Sequence, residues 1–294
     1  MQTILFILLL ILIVLTIPLL LIYLFLSANN GIFHDGGLKA EYLSLLPPKQ
    51  TLPFIVINPS VQLKTLDYIE YPVVLKPDDC SGGGADVELV NNQQEAVNYL
   101  RSCGNKYHRV IIQKYCPLPK EYSILYERHP FFKNGSVISI TEKIPVEQTK
   151  QFKVHNVGIG TRKSDVVDLS KYITPQFNLL IDNMTQKIPN LYCGRYDVKA
   201  KDLNSLLNGD FYVMELNNLL GVDHRSFVHT ISDFDQQNCL IQLRWFFKRV
   251  LFGLENHLVN GPITIIRNLK GQCNTMCQSE IDNILNAMGT FKII

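Results

Sequence analysis

The sequence predicts an α+β protein preceded by one N-terminal transmembrane helix. Three observations carry this reading: a predominantly apolar run at residues 4–26, a middle region of short β-branched segments joined by Gly- and Pro-rich turns, and a final third with helical periodicity. At 294 residues and 47% hydrophobic content, the chain has room for one or two domains and a sizeable core. Its formal net charge of +2 argues neither for nucleic acid as a partner nor for strong attraction to anionic lipid.

Residues 4–26 are apolar except for Thr16, Pro18 and Tyr23. As a helix they extend about 34 Å, enough to cross a hydrocarbon core of about 30 Å. A cleaved signal peptide would carry a positive start and a shorter apolar stretch, whereas no Lys or Arg precedes Lys39 here. Pro18 is tolerated in a membrane helix as a kink. Lys39 and Lys49 against Asp35 and Glu41 give a weak orientation signal, which leans toward the bulk of the chain on the cytoplasmic side. Seven cysteines, an odd number with no CxxC, fit reduced thiols in that compartment.

Residues 27–53 contain Gly31, Gly36, Gly37, Pro47, Pro48 and Pro53, the composition of a linker, with one short helix at Lys39 to Leu46. Strands follow at Phe54 to Ile57 and at Tyr71 to Lys76. Then comes PDDCSGGGA and another strand, Asp86 to Val90. A Walker phosphate loop needs GK[ST] opening a helix, and none exists. A triple-glycine loop between two strands is instead a flap whose N–H groups can close on phosphates, or an ordinary hairpin tip. A helix spans Gln93 to Ser102 with Asn92 as its cap and Ala96, Val97 and Leu100 inward.

Strands are expected at Arg109 to Tyr115, Glu121 to Glu127 and Val137 to Lys143, and residues 144–165 read as a long mobile loop with strand pieces. Thr174-Pro175 opens a helix that runs to about Lys187. Near the end, Ser232 to Leu258 carries a wide apolar stripe that suits packing on a sheet, and a last helix covers about Ser279 to Met288.

The chemistry concentrates between Cys193 and Gly221. Side chains two apart on a strand share a face, so Arg195 and Asp197 point together, as do Glu215 and Asn217 on the next strand. The polar segment between them, KAKDLNSLLNGD, suits a hairpin connection with a short excursion. If the strands pair, two carboxylates and an amide oxygen meet beside a guanidinium, a hard oxygen set that suits Mg²⁺ held together with substrate phosphates. Taken alone, the same residues also fit a solvated polar strand edge.

Lys76-Pro77, the glycine loop at 81–84, Gln113-Lys114-Tyr115-Cys116, Glu121, Arg195-x-Asp197 and Glu215-x-Asn217 occur in one order. That order resembles the ATP-grasp superfamily, most closely its carboxylate-amine ligases of the D-alanine-D-alanine ligase type, over roughly residues 64–225. The resemblance implies an ATP-grasp fold, two α+β subdomains clasping a nucleotide. On that pattern residues 1–27 are the anchor, 28–63 a linker and short N-terminal segment, 64–127 the small subdomain with the glycine flap and adenine hinge, and 128–294 the large one with the metal site and C-terminal helices. ATP and Mg²⁺ are the implied cofactors, and small-molecule or tethered carboxylate and amine compounds the implied substrates.

By the same resemblance Lys76 contacts the nucleotide phosphates, with Ser81, Gly82, Gly83 and Gly84 as the flap. Gln113 and the backbone of Lys114 and Cys116 hold the adenine edge, and Glu121 accepts the ribose hydroxyls. Lys143 is a further phosphate lysine. Asp197, Glu215 and Asn217 ligate Mg²⁺, and Arg195 faces the transferred phosphoryl group and acyl intermediate. The chain departs from the pattern in Gln113, where these ligases often carry Glu, in a longer spacer before Glu121, and in a longer Asp197 to Glu215 interval. Residues 27–63 are also too few for the substrate domain that such ligases place first, which leaves a non-catalytic ATP-binding protein as the alternative.

Overall fold

The computed structural model describes residues 16–21, 38–59, 63–78, 86–103, 106–145, 164–189 and 191–217, together with 247, 248, 250–252 and 254. Two antiparallel sheets organise these residues, one of four strands and one of five. Each is covered on one face by helices.

The four-stranded sheet contains β1 (Phe54–Ile57), β2 (Val73–Pro77), β3 (Glu88–Val90) and β4 (Val110–Lys114), in the order β1-β4-β2-β3. Helix α1 (Lys39–Leu45) precedes it in the chain, and α2 (Gln93–Cys103) packs on its apolar face. Ala96, Tyr99, Leu100 and Cys103 lie on one side of α2 at helical spacing and meet Val73, Leu75, Val110 and Ile112. The cap is reciprocal: Asn92 Oδ1 accepts from the Glu95 N–H at 3.0 Å, while Glu95 Oε2 accepts from the Asn91 N–H at 2.7 Å. The opposite face of this sheet, with Lys76 and Gln113, is left for other work.

In the five-stranded sheet β5 (Lys120–Glu127), β6 (Ser136–Pro145), β7 (Ser164–Asp168), β8 (Cys193–Ala200) and β9 (Phe211–Asn217) run in the order β7-β6-β5-β8-β9. Its apolar face holds Tyr122, Ile124, Tyr126, Tyr196, Val198 and Val213 against α3 (Pro175–Thr185) and α1. Thr174 caps α3 by accepting from the Phe177 N–H, and Pro175 sits at its first position, where no N–H is needed. The short helix expected at Lys39 to Leu46 is α1, and it belongs to this core through Tyr42 and Leu43.

Between β8 and β9 the excursion is a short helix, α4 (Leu203–Leu207), capped by the Asp202 carboxylate. Gly209 closes it with φ +82, a left-handed conformation that glycine adopts without strain. Within β9, Phe211, Val213 and Leu216 all face the core, although strict alternation cannot place Val213 and Leu216 on one side. A bulge resolves this: Asp197 pairs with Glu215 but Val198 pairs with Val213, leaving Met214 as the extra residue.

The expected loop at 144–165 ends as the first residues of β7, which pairs with β6. Its stretch 146–163 lies outside the described residues, as do 81–85 and the span of the helix expected at about Ser279 to Met288. Of the C-terminal stripe, the described positions between 247 and 254 are helical, and Phe252 packs with Leu125 and Cys193 on the sheet. Of the apolar run, only 16–21 is described, and it is helical. The rest of 4–26 lies outside the described residues, and among those described no helix is long and apolar enough to cross a membrane.

Candidate active site

The five strands carry a polar strip on the face away from their core. Cross-strand register sets Glu121 opposite Lys143, Thr141 opposite Ser123, Ser123 opposite Asp197, and Asp197 opposite Glu215, while Arg195 lies opposite Asn217. Alternation along each strand keeps these side chains on one face while Tyr122, Ile124, Tyr196 and Val198 fill the other. The hairpin pairing expected from the sequence thus places Asp197 beside Glu215.

Asp197 is the hub. Arg195 donates to it through Nε at 3.1 Å to Oδ1 and through Nη2 at 3.0 Å to Oδ2. Ser123 Oγ donates at 2.6 Å and Asn217 Nδ2 at 3.1 Å, and Lys143 Nζ stands 3.4 Å away. Lys143 donates to Glu121 Oε1 at 2.7 Å. Burial alone disfavours the Lys143 ammonium, but Asp197 and Glu121 outweigh it and hold its pKa above the ordinary lysine value. Arg195 is governed by the same contest, again won by Asp197, and its pKa is raised.

Lys76 reaches this cluster from the other sheet. Its Nζ donates to Gln113 Oε1 at 2.9 Å and to the Met214 carbonyl at 2.8 Å. Only 7% of Lys76 is exposed. Burial pushes its pKa down to about 8, with Glu215 and Asp78 opposing the shift and Lys39 adding to it. Because the ammonium binds Gln113 Oε1, the amide Nε2 faces the other way, and this buried donor has no partner among the described residues. Thr141 Oγ1 is likewise buried and without a partner among the described residues. Two orphaned polar atoms beside a cluster of charges are the kind of vacancy that a polar ligand satisfies.

The structure therefore brings together Lys76, Gln113, Glu121, Lys143, Arg195, Asp197, Glu215 and Asn217. The Lys114 N–H donates to the Pro53 carbonyl at 2.9 Å, and the Cys116 thiol is buried, which raises its pKa. Ser81, Gly82, Gly83 and Gly84 lie outside the described residues. Sequence reasoning missed Ser123 and Thr141, although each stands two residues from a named site residue on the same strand and period-2 counting would have found them. The resemblance left open whether Lys39 or Lys64 stands for the first nucleotide lysine; the structure sets Lys39 Nζ 3.3 Å from Glu215 Oε1.

The donor set is compatible with a hard divalent cation, since two carboxylates face each other across β8 and β9 with an amide beside them. Among the described residues no group of three or more His, Cys, Asp or Glu side chains is gathered so as to hold a metal ion, so this set counts two carboxylates and an amide.

No family model matches the chain, and no curated protein does. Among solved structures, it is similar to D-alanine-D-alanine ligase from Bacillus anthracis complexed with ATP, at 16% identity and TM-score 0.46, over 77% of this chain and 67% of that one. The VanG D-Ala:D-Ser ligase from Enterococcus faecalis gives 12% identity and TM-score 0.49, over 77% and 63%. An L-amino acid ligase from Bacillus licheniformis gives 16% and 0.47, over 74% and 48%. These neighbours are ATP-grasp carboxylate-amine ligases. The chain spans about half to two thirds of the length of these ATP-grasp enzymes.

Proposed function

We propose that the chain is an ATP-dependent carboxylate-amine ligase anchored to a membrane by residues 4–26. The observation that carries the reading is the meeting of Lys76 from one sheet with the Glu215 strand of the other, through the Met214 carbonyl, beside Arg195 and Asp197. Phosphoryl transfer asks mainly for positioning and neutralisation of charge. A lysine, an arginine, opposed carboxylates and two unsatisfied donors supply those needs in one place.

In this reading a substrate carboxylate oxygen attacks the γ-phosphorus of ATP. The bond from that phosphorus to the bridging oxygen breaks, giving ADP and an acyl phosphate. The nitrogen of an amine then attacks the acyl carbon, the carbon–oxygen bond to phosphate breaks, phosphate leaves, and the amine proton passes to solvent. Lys76 and Lys143 hold phosphate oxygens, and Arg195 stabilises the transferred group. Glu121 takes the ribose hydroxyls, while Gln113 and the backbone of Lys114 and Cys116 meet the adenine edge. The loop with Ser81, Gly82, Gly83 and Gly84 covers the phosphates. Asp197, Glu215 and Asn217 hold Mg²⁺, which neutralises phosphate charge when bound. The acceptors are small or tethered carboxylates and amines, and the bulk of the chain lies on the cytoplasmic side.

ADP release by the full chain, supplied with ATP, Mg²⁺ and panels of carboxylates and amines, tests this, with Glu215→Ala expected to lose roughly a hundredfold or more in rate. Mg-ATP binding that is unchanged in Glu215→Ala counts against the metal assignment. One observation favours a second reading, a protein that binds ATP without turning it over: the acids at the site already hold internal cations, with Lys39 on Glu215, Lys143 on Glu121 and Arg195 on Asp197. Tight ATP binding with no ADP formed across the panels would select it.

A further inference from the structure

We infer that Lys39 is a tethered counter-cation that holds the place of the divalent ion at Glu215, so that metal enters only by displacing it. The inference rests on the metal reading above and adds a residue from the N-terminal segment to it.

Three features place Lys39 there. Its Nζ stands 3.3 Å from Glu215 Oε1, with the Lys39 side chain 11% exposed and that of Glu215 33% exposed. The helix that carries it cannot drift, because Tyr42 and Leu43 are in the core of the five-stranded sheet. The start of that helix is also pinned from the other sheet: Asp78 Oδ1 accepts from the Ala40 N–H at 2.8 Å, and Arg109 Nε holds Asp78 Oδ2 at 2.9 Å. An ammonium fixed at this distance competes with any other cation for the same carboxylate oxygen.

Competition follows from charge and geometry. Glu215 lies directly opposite Asp197, whose two oxygens are committed to Arg195, Ser123 and Asn217. Glu215 is therefore the carboxylate through which a divalent ion enters, and Lys39 is what meets it first. Removing a positive charge within about 4 Å of a carboxylate changes its hold on a cation by about tenfold or more. Displaced from Glu215, the Lys39 ammonium remains beside the site and within reach of an anion that arrives with the metal.

Mn²⁺ binding to the full chain without nucleotide, followed by electron paramagnetic resonance, tests this. Lys39→Met, which keeps the length of the stem, is expected to bind Mn²⁺ about tenfold more tightly than the wild type. Lys39→Arg keeps the charge and is expected to match the wild type, which separates charge from any disturbance of folding, and Glu215→Gln is expected to bind weakly. Equal or weaker binding in Lys39→Met, with Glu215→Gln still weak, overturns the role of Lys39 and leaves the metal site standing. Identical binding in the wild type and Glu215→Gln overturns both.

Discussion

Lys76 Nζ lies 2.8 Å from the carbonyl oxygen of Met214, 138 residues further along the chain. That bond joins the two sheets at their polar faces, and it uses the carbonyl of the one β9 residue that the bulge removes from regular pairing. The lysine is thus fixed by the fold before any ligand arrives.

Its depressed pKa gives a pH test. Folded Lys76 titrates at about 8 against the ordinary 10.5. Below pH 8 it is charged and available to an anion, and above that the free protein must take up a proton to bind. ATP affinity is expected to be flat up to about pH 8 and then to fall by up to tenfold per pH unit. In Lys76→Arg the fall should vanish, since arginine stays protonated. Calorimetric titration from pH 7 to 9.5 checks this, and a flat wild-type profile refutes it. The stability effect has the opposite sign: the buried ammonium costs most below pH 8, and the cost is relieved as pH rises between 8 and 10.5, by roughly 3 kcal/mol in all.

Asp197→Ala should destabilise the protein by about 3–5 kcal/mol. It leaves the Arg195 guanidinium and the Lys143 ammonium without their shared carboxylate in a buried place. Asp197→Asn keeps the shape and part of the bonding and should cost less. Urea midpoints of the two variants decide the order.

Gly135→Ala is expected to cost about 1–3 kcal/mol through overpacking. An added Cβ would meet Tyr126 Oη at 2.1 Å and Arg128 Cβ at 2.7 Å. The displaced Tyr126 hydroxyl and the Gly135 N–H both donate to Asp182, so β6 and α3 would loosen together. Thermal melting of the variant measures the loss.

Asp78→Ala should release the start of α1. Ala40 N–H and Arg109 both lose their acceptor, and a buried unsatisfied donor costs about 1–3 kcal/mol. Amide hydrogen exchange should accelerate over 39–45 before it does in β5 or β8. Uniform acceleration across the sheet would show that α1 has no separate hold.

Much of this fold was legible because the signals are local. Asn92 and Thr174 announced α2 and α3 through capping chemistry, and both caps form. The facing of Arg195 with Asp197 and of Glu215 with Asn217 followed from strand period, and the Asn208-Gly209 pair marked the return into β9. What escaped the sequence is non-local or irregular. Lys39 was placed on a short helix but not joined to Glu215, because its partner is on the last strand of a sheet formed later in the chain and nothing near it in sequence names that residue. Strand β7 follows a polar stretch, so its first two residues were absorbed into a loop and the other three were assigned to no element. The Met214 bulge hid too, because alternation counted back from Glu215 puts Val213 on the wrong face, and only the three-dimensional pairing reveals the extra residue.

That extra residue makes β9 sensitive to the backbone at 214 more than to the side chain there. Exchange of the Met214 side chain leaves the carbonyl that receives Lys76 in place, whereas deletion of the codon would restore plain alternation, keep Glu215 and Asn217 on the polar face, and take that carbonyl away. A scan of single-codon deletions and substitutions across 211–217 should therefore find position 214 permissive to replacement, with its deletion felt at Lys76 while the sheet still forms. Drift at that position can change its letter freely, but dropping it unties the lysine from the strand.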